Sequence, residues 1–316
     1  MFEAIRTRLY VPASLAIVAL GFLWGAGFPA IDVIVAQFPP LGAAGIRYGV
    51  SGCIVLAYAT FETDRLLPQT RRELLSILVV GGFMFGGYQA GLYLGIQYVS
   101  GAVASVVITM SPVVAALVAV PILGESRGSL DVAGFCLGLI GVLVLSKPTP
   151  GTTALSATAA GVGLVFLGTT LFAVGSVAVQ VFDGGLPTES LQGWAMLVGA
   201  ATLFSGGALR GESLPPLGSI SPVVLGSLLY VTLIGGAAGY LLYFRLVHRV
   251  GATETTLVAY LEPVAAAVVS VLLLGRGVEI TTVVGFVAVA SGFTLVSRRT
   301  LRRSVSKFRT ADGRGP

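Results

Sequence analysis

The sequence predicts an all-α polytopic membrane protein of about ten transmembrane helices, arranged as two inverted five-helix repeats. Three observations predict it. Of 316 residues, 55% are hydrophobic and only 10% charged, with a mean hydropathy of +0.93, whereas a soluble domain carries roughly a quarter of its residues charged. The apolar residues come in continuous runs rather than alternating, which speaks for helices that close their backbone hydrogen bonds internally and against membrane strands. Finally, the stretch from Tyr98 to Lys147 repeats without a gap from Arg249 to Arg298. Met110-Ser-Pro-Val-Val-Ala-Ala falls on Leu261-Glu-Pro-Val-Ala-Ala-Ala and Gly134-Phe on Gly285-Phe, with about three positions in ten identical.

Taken in order, residues 1–12 form a short basic lead with Arg6 and Arg8. The first apolar run, about 13–36, is too long for a cleaved signal peptide and holds Trp24 and Pro29, so it reads as a permanent span. At about 17 to 25 apolar residues per crossing, further spans fall near 40–60, 74–97, 101–123 and 130–146. Gly, Ser and Thr then mark a linker, 148–157. The second set follows near 158–181, 189–209, 222–246, 252–274 and 280–297, and a basic tail occupies 299–316. The chain thus divides into a first repeat at 1–147 and a second at 158–298. No loop has room for a soluble catalytic domain.

Basic residues set the orientation. About 15 fall on the side of the N-terminus, including Arg65, Arg71, Arg72, Arg127, Arg245, Arg249 and the tail, against Lys147, Arg210 and Arg276 on the other. Both termini are therefore expected in the cytoplasm. Five spans per half is an odd number, so the second half must enter the bilayer upside down relative to the first. The net charge of +5 follows this topology pattern and gives no nucleic-acid patch. Cys53 and Cys136 both lie in apolar runs, so no disulfide framework or paired-cysteine metal site is expected.

In each copy of the repeat a proline, Pro112 or Pro263, falls near the middle of an apolar run. A proline there removes a helical hydrogen bond, and breaks at matching positions of two halves point to a carrier's binding site. The two prolines are read as hinges. Gly87, Gly91 and Gly95, Gly134 and Gly138, and Gly235 and Gly239 stand at the four-residue spacing that lets helices approach closely. They read as packing stripes, a role the sequence does not separate from sliding surfaces.

Leu23-Trp-Gly-Ala-Gly-Phe, Gly45-Ile-Arg-Tyr, Ser111-Pro-Val-Val-Ala-Ala-Leu followed by Leu123-Gly-Glu, and Tyr260-Leu-Glu-Pro-Val-Ala-Ala together resemble the EamA-type carriers of the drug/metabolite transporter superfamily, over about residues 13–298. The resemblance implies ten helices in two inverted repeats and a central cavity lined mainly by spans one, three, four, six, eight and nine. It also implies export of amino acids or other small metabolites. The chain departs from the pattern at Arg276, where the second repeat commonly carries a glutamate matching Glu125, and Glu125 is left outside the expected site.

Glu262 is the most informative side chain. About ten residues into its span, at about 1.5 Å each, it lies roughly 15 Å deep, near the bilayer midplane. A carboxylate there must face a wet cavity, pair with a cation or carry a proton. Arg47, roughly 10 Å below the outer boundary, is the natural partner. It can instead hold a substrate carboxylate. Trp24, Gln89, Tyr88, Tyr93, Tyr240 and Tyr243 each join an apolar face to a polar tip, which suits a cavity for amphipathic metabolites. Glu254 serves sufficiently as a helix-end charge, Asp32 lies nearer a helix end, and the sole histidine, His248, lacks companions for a metal.

The expected function is a secondary transporter in the cell membrane, carrying a small-molecule metabolite by alternating access around this midplane site. No P-loop, cofactor or nucleic-acid partner is expected, and a homodimer is left open. The alternative is a polytopic membrane enzyme acting on a lipid-linked substrate. It would need paired acids or histidines at a membrane face, and the acids here are scattered singly.

Overall fold

The computed structural model describes residues 13–123, 129–146, 156–182, 184–250, 258–275, 277–292 and 294–295. Glu125, Lys147, Glu254, Arg276, most of the linker and the tail lie outside them, as does the side chain of His248. Among the described residues the secondary structure is helical, with no strand.

The first rod is α1 (Ala13–Gly25) and α2 (Gly27–Val35). Pro29 supplies no donor for the carbonyl four residues earlier, that of Gly25, and the helix breaks at Ala26. The α3 helix (Pro40–Glu62) starts with proline at its first position, where no donor is needed. A capping box of Thr70 and Glu73 opens α4 (Arg71–Val79), which continues through a π-helical segment (Val80–Gly87) into α5 (Tyr88–Gly95). Ser100 caps α6 (Gly101–Ile108), and α7 (Ser111–Leu123) and α8 (Ser129–Leu145) follow. The second half comprises α9 (Ala157–Phe182), α10 (Thr188–Leu209) and α11 (Pro222–Leu229). A second π segment (Tyr230–Ala238) leads into α12 (Gly239–Val250), and then come α13 (Val258–Leu274) and α14 (Ile280–Gly292).

Among the described residues six rods are long and apolar enough to cross a membrane: Ala13–Val35, Pro40–Glu62, Arg71–Gly95, Gly101–Val120, Ala157–Ala178 and Pro222–Tyr243. Val132–Leu145, Val258–Leu274 and Ile280–Gly292 are shorter apolar helices. Large apolar side chains such as Leu143, Leu167, Leu272 and Leu273 stand exposed along these rods. So much outward apolar surface is that of a multi-pass membrane protein, with lipid as the solvent of its outer faces.

Glycines set the packing between rods. A Cβ on Gly45 would meet Phe204, and one on Gly52 would meet Met196 and the Gly193 carbonyl. Partner numbers fall as those of α3 rise, so α3 and α10 run antiparallel. Each end of this pair is tied. At one, the Glu212 carboxylate accepts the Gly42 amide at 3.0 Å. At the other, Ser190 Oγ donates to the Arg65 carbonyl at 2.9 Å and Trp194 Nε1 to that of Leu66 at 3.0 Å. Arg65 also pairs with the buried Glu73 at 2.6 Å.

The stripe of Gly87, Gly91 and Gly95 faces Leu171, Gly168 and Val165 in turn, so α5 and α9 are antiparallel as well. Gly292 packs on Gly134 and Gly138, and Gly141 on Val289. Both stripes are close helix contacts, as small residues at this spacing allow. The α1 and α13 helices meet in parallel, Gly21 on Leu261 and Gly25 on Ala265.

The two π segments fall at matching places. The shift that lays Met110 on Leu261 carries Val80–Gly87 onto residues 231–238, where the second π segment runs from Tyr230 to Ala238. The prolines do not match in this way. Pro112 is the second residue of α7, after a break at Thr109 and Met110, whereas Pro263 lies inside α13 with helix described on both sides.

Candidate functional site

The break at Ala26 exposes Leu23 and Trp24 to the second π segment. Trp24 Nε1 donates to the Gly235 carbonyl at 2.9 Å, and Tyr230 Oη donates to the Leu23 carbonyl at 2.8 Å. From α3, Ser51 Oγ donates to the Thr232 carbonyl at 2.8 Å. A π segment displaces the regular ladder, and its carbonyls become available to such side chains. Gly236 and Gly239 make the approach possible, since a Cβ on either would collide with Ser51 or with Trp24.

Around this junction the rings converge. Trp24 lies 5.3 Å from Tyr240 and 5.6 Å from Tyr243, Phe85 lies 5.6 Å from Tyr240, and Tyr48 lies 5.1 Å from Phe85. Tyr88 meets Phe172 edge-on at 5.2 Å. These centroid separations are those of mutually packed aromatic side chains. Trp24, Tyr48, Phe85 and Tyr88 come from the first half, Phe172, Tyr240 and Tyr243 from the second.

Arg47 projects from α3 into this group and is buried, 8% exposed. Its guanidinium carbon lies 5.0 Å from the Tyr48 ring centroid, and the hydroxyls of Tyr48, Tyr93 and Tyr240 lie within its electrostatic reach. An ion pair with Glu262, one of the two roles open to Arg47, does not form: among the described residues no carboxylate pairs with Arg47. The cause is placement. Glu262 stands where α13 packs against α1, its backbone against Gly25, while Arg47 is drawn beneath the tyrosines of α3, α5 and α12.

Glu262 is 9% exposed and has no ion pair or hydrogen bond among the described residues. Tyr88 lies within electrostatic reach of both Glu262 and Arg47, which form no ion pair with each other. Gln89 and Tyr93 are buried on α5, and Gln89 Oε1, Tyr93 Oη, Tyr48 Oη and Arg47 Nε have no hydrogen-bond partner.

The structure therefore gathers Arg47, Trp24, Tyr88, Tyr93, Tyr240 and Tyr243 together, with Glu262 within electrostatic reach of Tyr88 and the buried Pro263 next to it in α13. Sequence reasoning missed Tyr48, Phe85, Phe172 and Tyr230. Tyr48 carried a usable signal as the neighbour of Arg47; Phe85 and Phe172 carried none, being phenylalanines in apolar runs. Among the described residues no group of three His, Cys, Asp or Glu side chains gathers where a metal could be held.

Similarity to known proteins agrees with this architecture. The chain is 25% identical over 285 residues to the uncharacterized transporter YyaM of Bacillus subtilis, spanning 89% of this chain and 92% of that one. It is 28% identical over 274 residues to the uncharacterized inner membrane transporter YedA of Escherichia coli K12, spanning 86% and 84%. A protein of known crystal structure, 19% identical, superposes with a TM-score of 0.62 over 91% of this chain and 98% of its own, and so shares the fold. Residues 11–147 and 159–298 each match the EamA-like transporter family, so the chain belongs to that family.

Proposed function

We propose that the chain is a secondary transporter that carries a small amphipathic metabolite across the cell membrane by alternating access, with export of an amino acid or similar compound as its direction and cargo. The observation that carries this reading is the pair of buried, opposite and mutually unpaired charges, Arg47 and Glu262, both within electrostatic reach of Tyr88 in an aromatic cluster built from both halves. An unpaired ion in a protein interior costs several kcal/mol, a cost a carrier can recover when solute or proton binds. Binding that offsets the cost in one conformation also biases the equilibrium between conformations.

On this reading the repeats are 1–147 and 158–298, with ten crossings and both termini in the cytoplasm. The antiparallel pairing of α3 with α10 supports an inverted relation between the halves, and the matching π segments support the repeat itself. Reconstituted vesicles challenged with labelled amino acids and related metabolites, with and without a proton gradient, test it. Saturable uptake of at least one compound, reduced at least tenfold in Glu262→Gln, is expected. Uptake that rises linearly with concentration for every compound contradicts it.

A further inference from the structure

We propose that Arg47 anchors a negatively charged head group of the transported solute, an oxyanion of carboxylate or phosphate type, while the surrounding rings hold the solute's apolar body. The inference rests on the transporter reading and names the charge class of its cargo.

Arg47 is more than nine-tenths buried, and no carboxylate among the described residues balances it. Its Nε has no hydrogen-bond partner, and the hydroxyls of Tyr48 and Tyr93, both 0% exposed, make no bond of good geometry, with Tyr93 Oη beside the guanidinium and Tyr48 Oη beside Tyr240. Native interiors leave few polar atoms unsatisfied, and here Arg47 Nε lacks a partner next to the hydroxyls of Tyr48 and Tyr93. The guanidinium and the two phenols are donors, so the group they complement is an acceptor with negative charge. A guanidinium fork fits the two oxygens of a carboxylate or phosphate in parallel bonds.

The Tyr48 ring is the other favourable contact, at 5.0 Å from the guanidinium carbon. A ring face offsets only part of the cost of removing a cation from water. On the side of the second π segment Arg47 Nη2 faces Gly235, 4.0 Å from the place a Cβ would take, so the guanidinium meets backbone rather than a side chain there. Trp24, Phe85 and Tyr240 pack on one another and supply apolar surface within reach of the same cation.

The test uses two probes of one shape, 3-phenylpropionate and 3-phenylpropanamide, with phenyl phosphate as a second oxyanion. Binding to the purified full chain in neutral detergent is read from the melting temperature as each probe is titrated. The acid is expected to bind about tenfold more tightly than the amide, and Arg47→Gln to bring that ratio to about one. Arg47→Lys, which keeps the charge and loses the fork, should keep a reduced preference. If Arg47→Gln does not fold, Tyr93→Phe is the second variant, with the ratio expected to fall about threefold. Equal effects of acid and amide on the parent chain, or an undiminished ratio in the variants, overturn the proposal. Displacement of the acid by phosphatidylglycerol, but not by phosphatidylcholine, assigns the subsite to a lipid head group and overturns it as a cargo site. Flux in vesicles separates the two readings. A chain that moves solute without preferring the acid loses the anion subsite alone, and one that prefers the acid but moves nothing loses the transporter reading.

Discussion

At the scale of single residues, the structure separates two charges that the sequence invites one to join. Depth alone, counted along the apolar runs, made Arg47 and Glu262 partners. Depth says nothing about azimuth, and the tyrosines around Arg47 come from three different helices. The pairing was therefore not legible in the sequence, whereas the residue types needed at the midplane were. Thermal or denaturant unfolding of Glu262→Gln, Arg47→Gln and the double mutant checks the separation. The account expects a coupling energy of about 0.5 kcal/mol or less, against the several kcal/mol that follow from breaking a direct buried pair. It also expects Glu262→Gln to stay folded while losing flux, and Arg47→Gln not to restore that flux. Recovery of stability in the double mutant would show a direct pair in some populated state.

Among the elements, most of what the sequence predicted concerns where rods begin and end, because prolines, caps and apolar length act locally. Ser156 shows the limit. Its Oγ accepts the Ala159 amide at 3.1 Å, so the helix expected near 158 begins at Ala157 instead. The π segments were invisible, since Val80–Gly87 and Tyr230–Ala238 read as ordinary apolar glycine-rich helix, and only tertiary contacts to Trp24 and Ser51 reveal what the carbonyls of the second segment do. The two prolines looked equivalent in sequence but occupy different local structures. Pro112 sits in the first turn of α7, where a missing amide costs nothing. Pro263 sits inside α13 beside Glu262, where it removes a bond to the Ala259 carbonyl. Pro112→Ala should therefore change stability by no more than about 0.5 kcal/mol and leave flux near the parent rate. Pro263→Ala should stay inserted but slow flux severalfold. Equal effects in a vesicle assay would restore the symmetric-hinge reading.

For the whole molecule, the repeat was the most legible feature, because a duplicated half duplicates its pattern of apolar runs and punctuation. How the halves face each other is written only in tertiary contacts such as those of α3 with α10. The orientation expected from the basic residues is open to a direct check. Single cysteines at Asp64 and Ser213, in a background lacking Cys53 and Cys136, should react oppositely with an impermeant thiol reagent. Ser213→Cys should label in intact cells and Asp64→Cys only after permeabilisation; labelling of both in intact cells contradicts the topology. Counterflow shows whether one site is offered alternately to the two sides of the membrane. Vesicles loaded with a high concentration of an unlabelled substrate are diluted into a trace of the same compound in labelled form. A carrier should draw label inward to a transient peak several times the level of unloaded vesicles, and Glu262→Gln should abolish the peak. Label that rises monotonically to the same level with or without internal substrate would contradict alternating access.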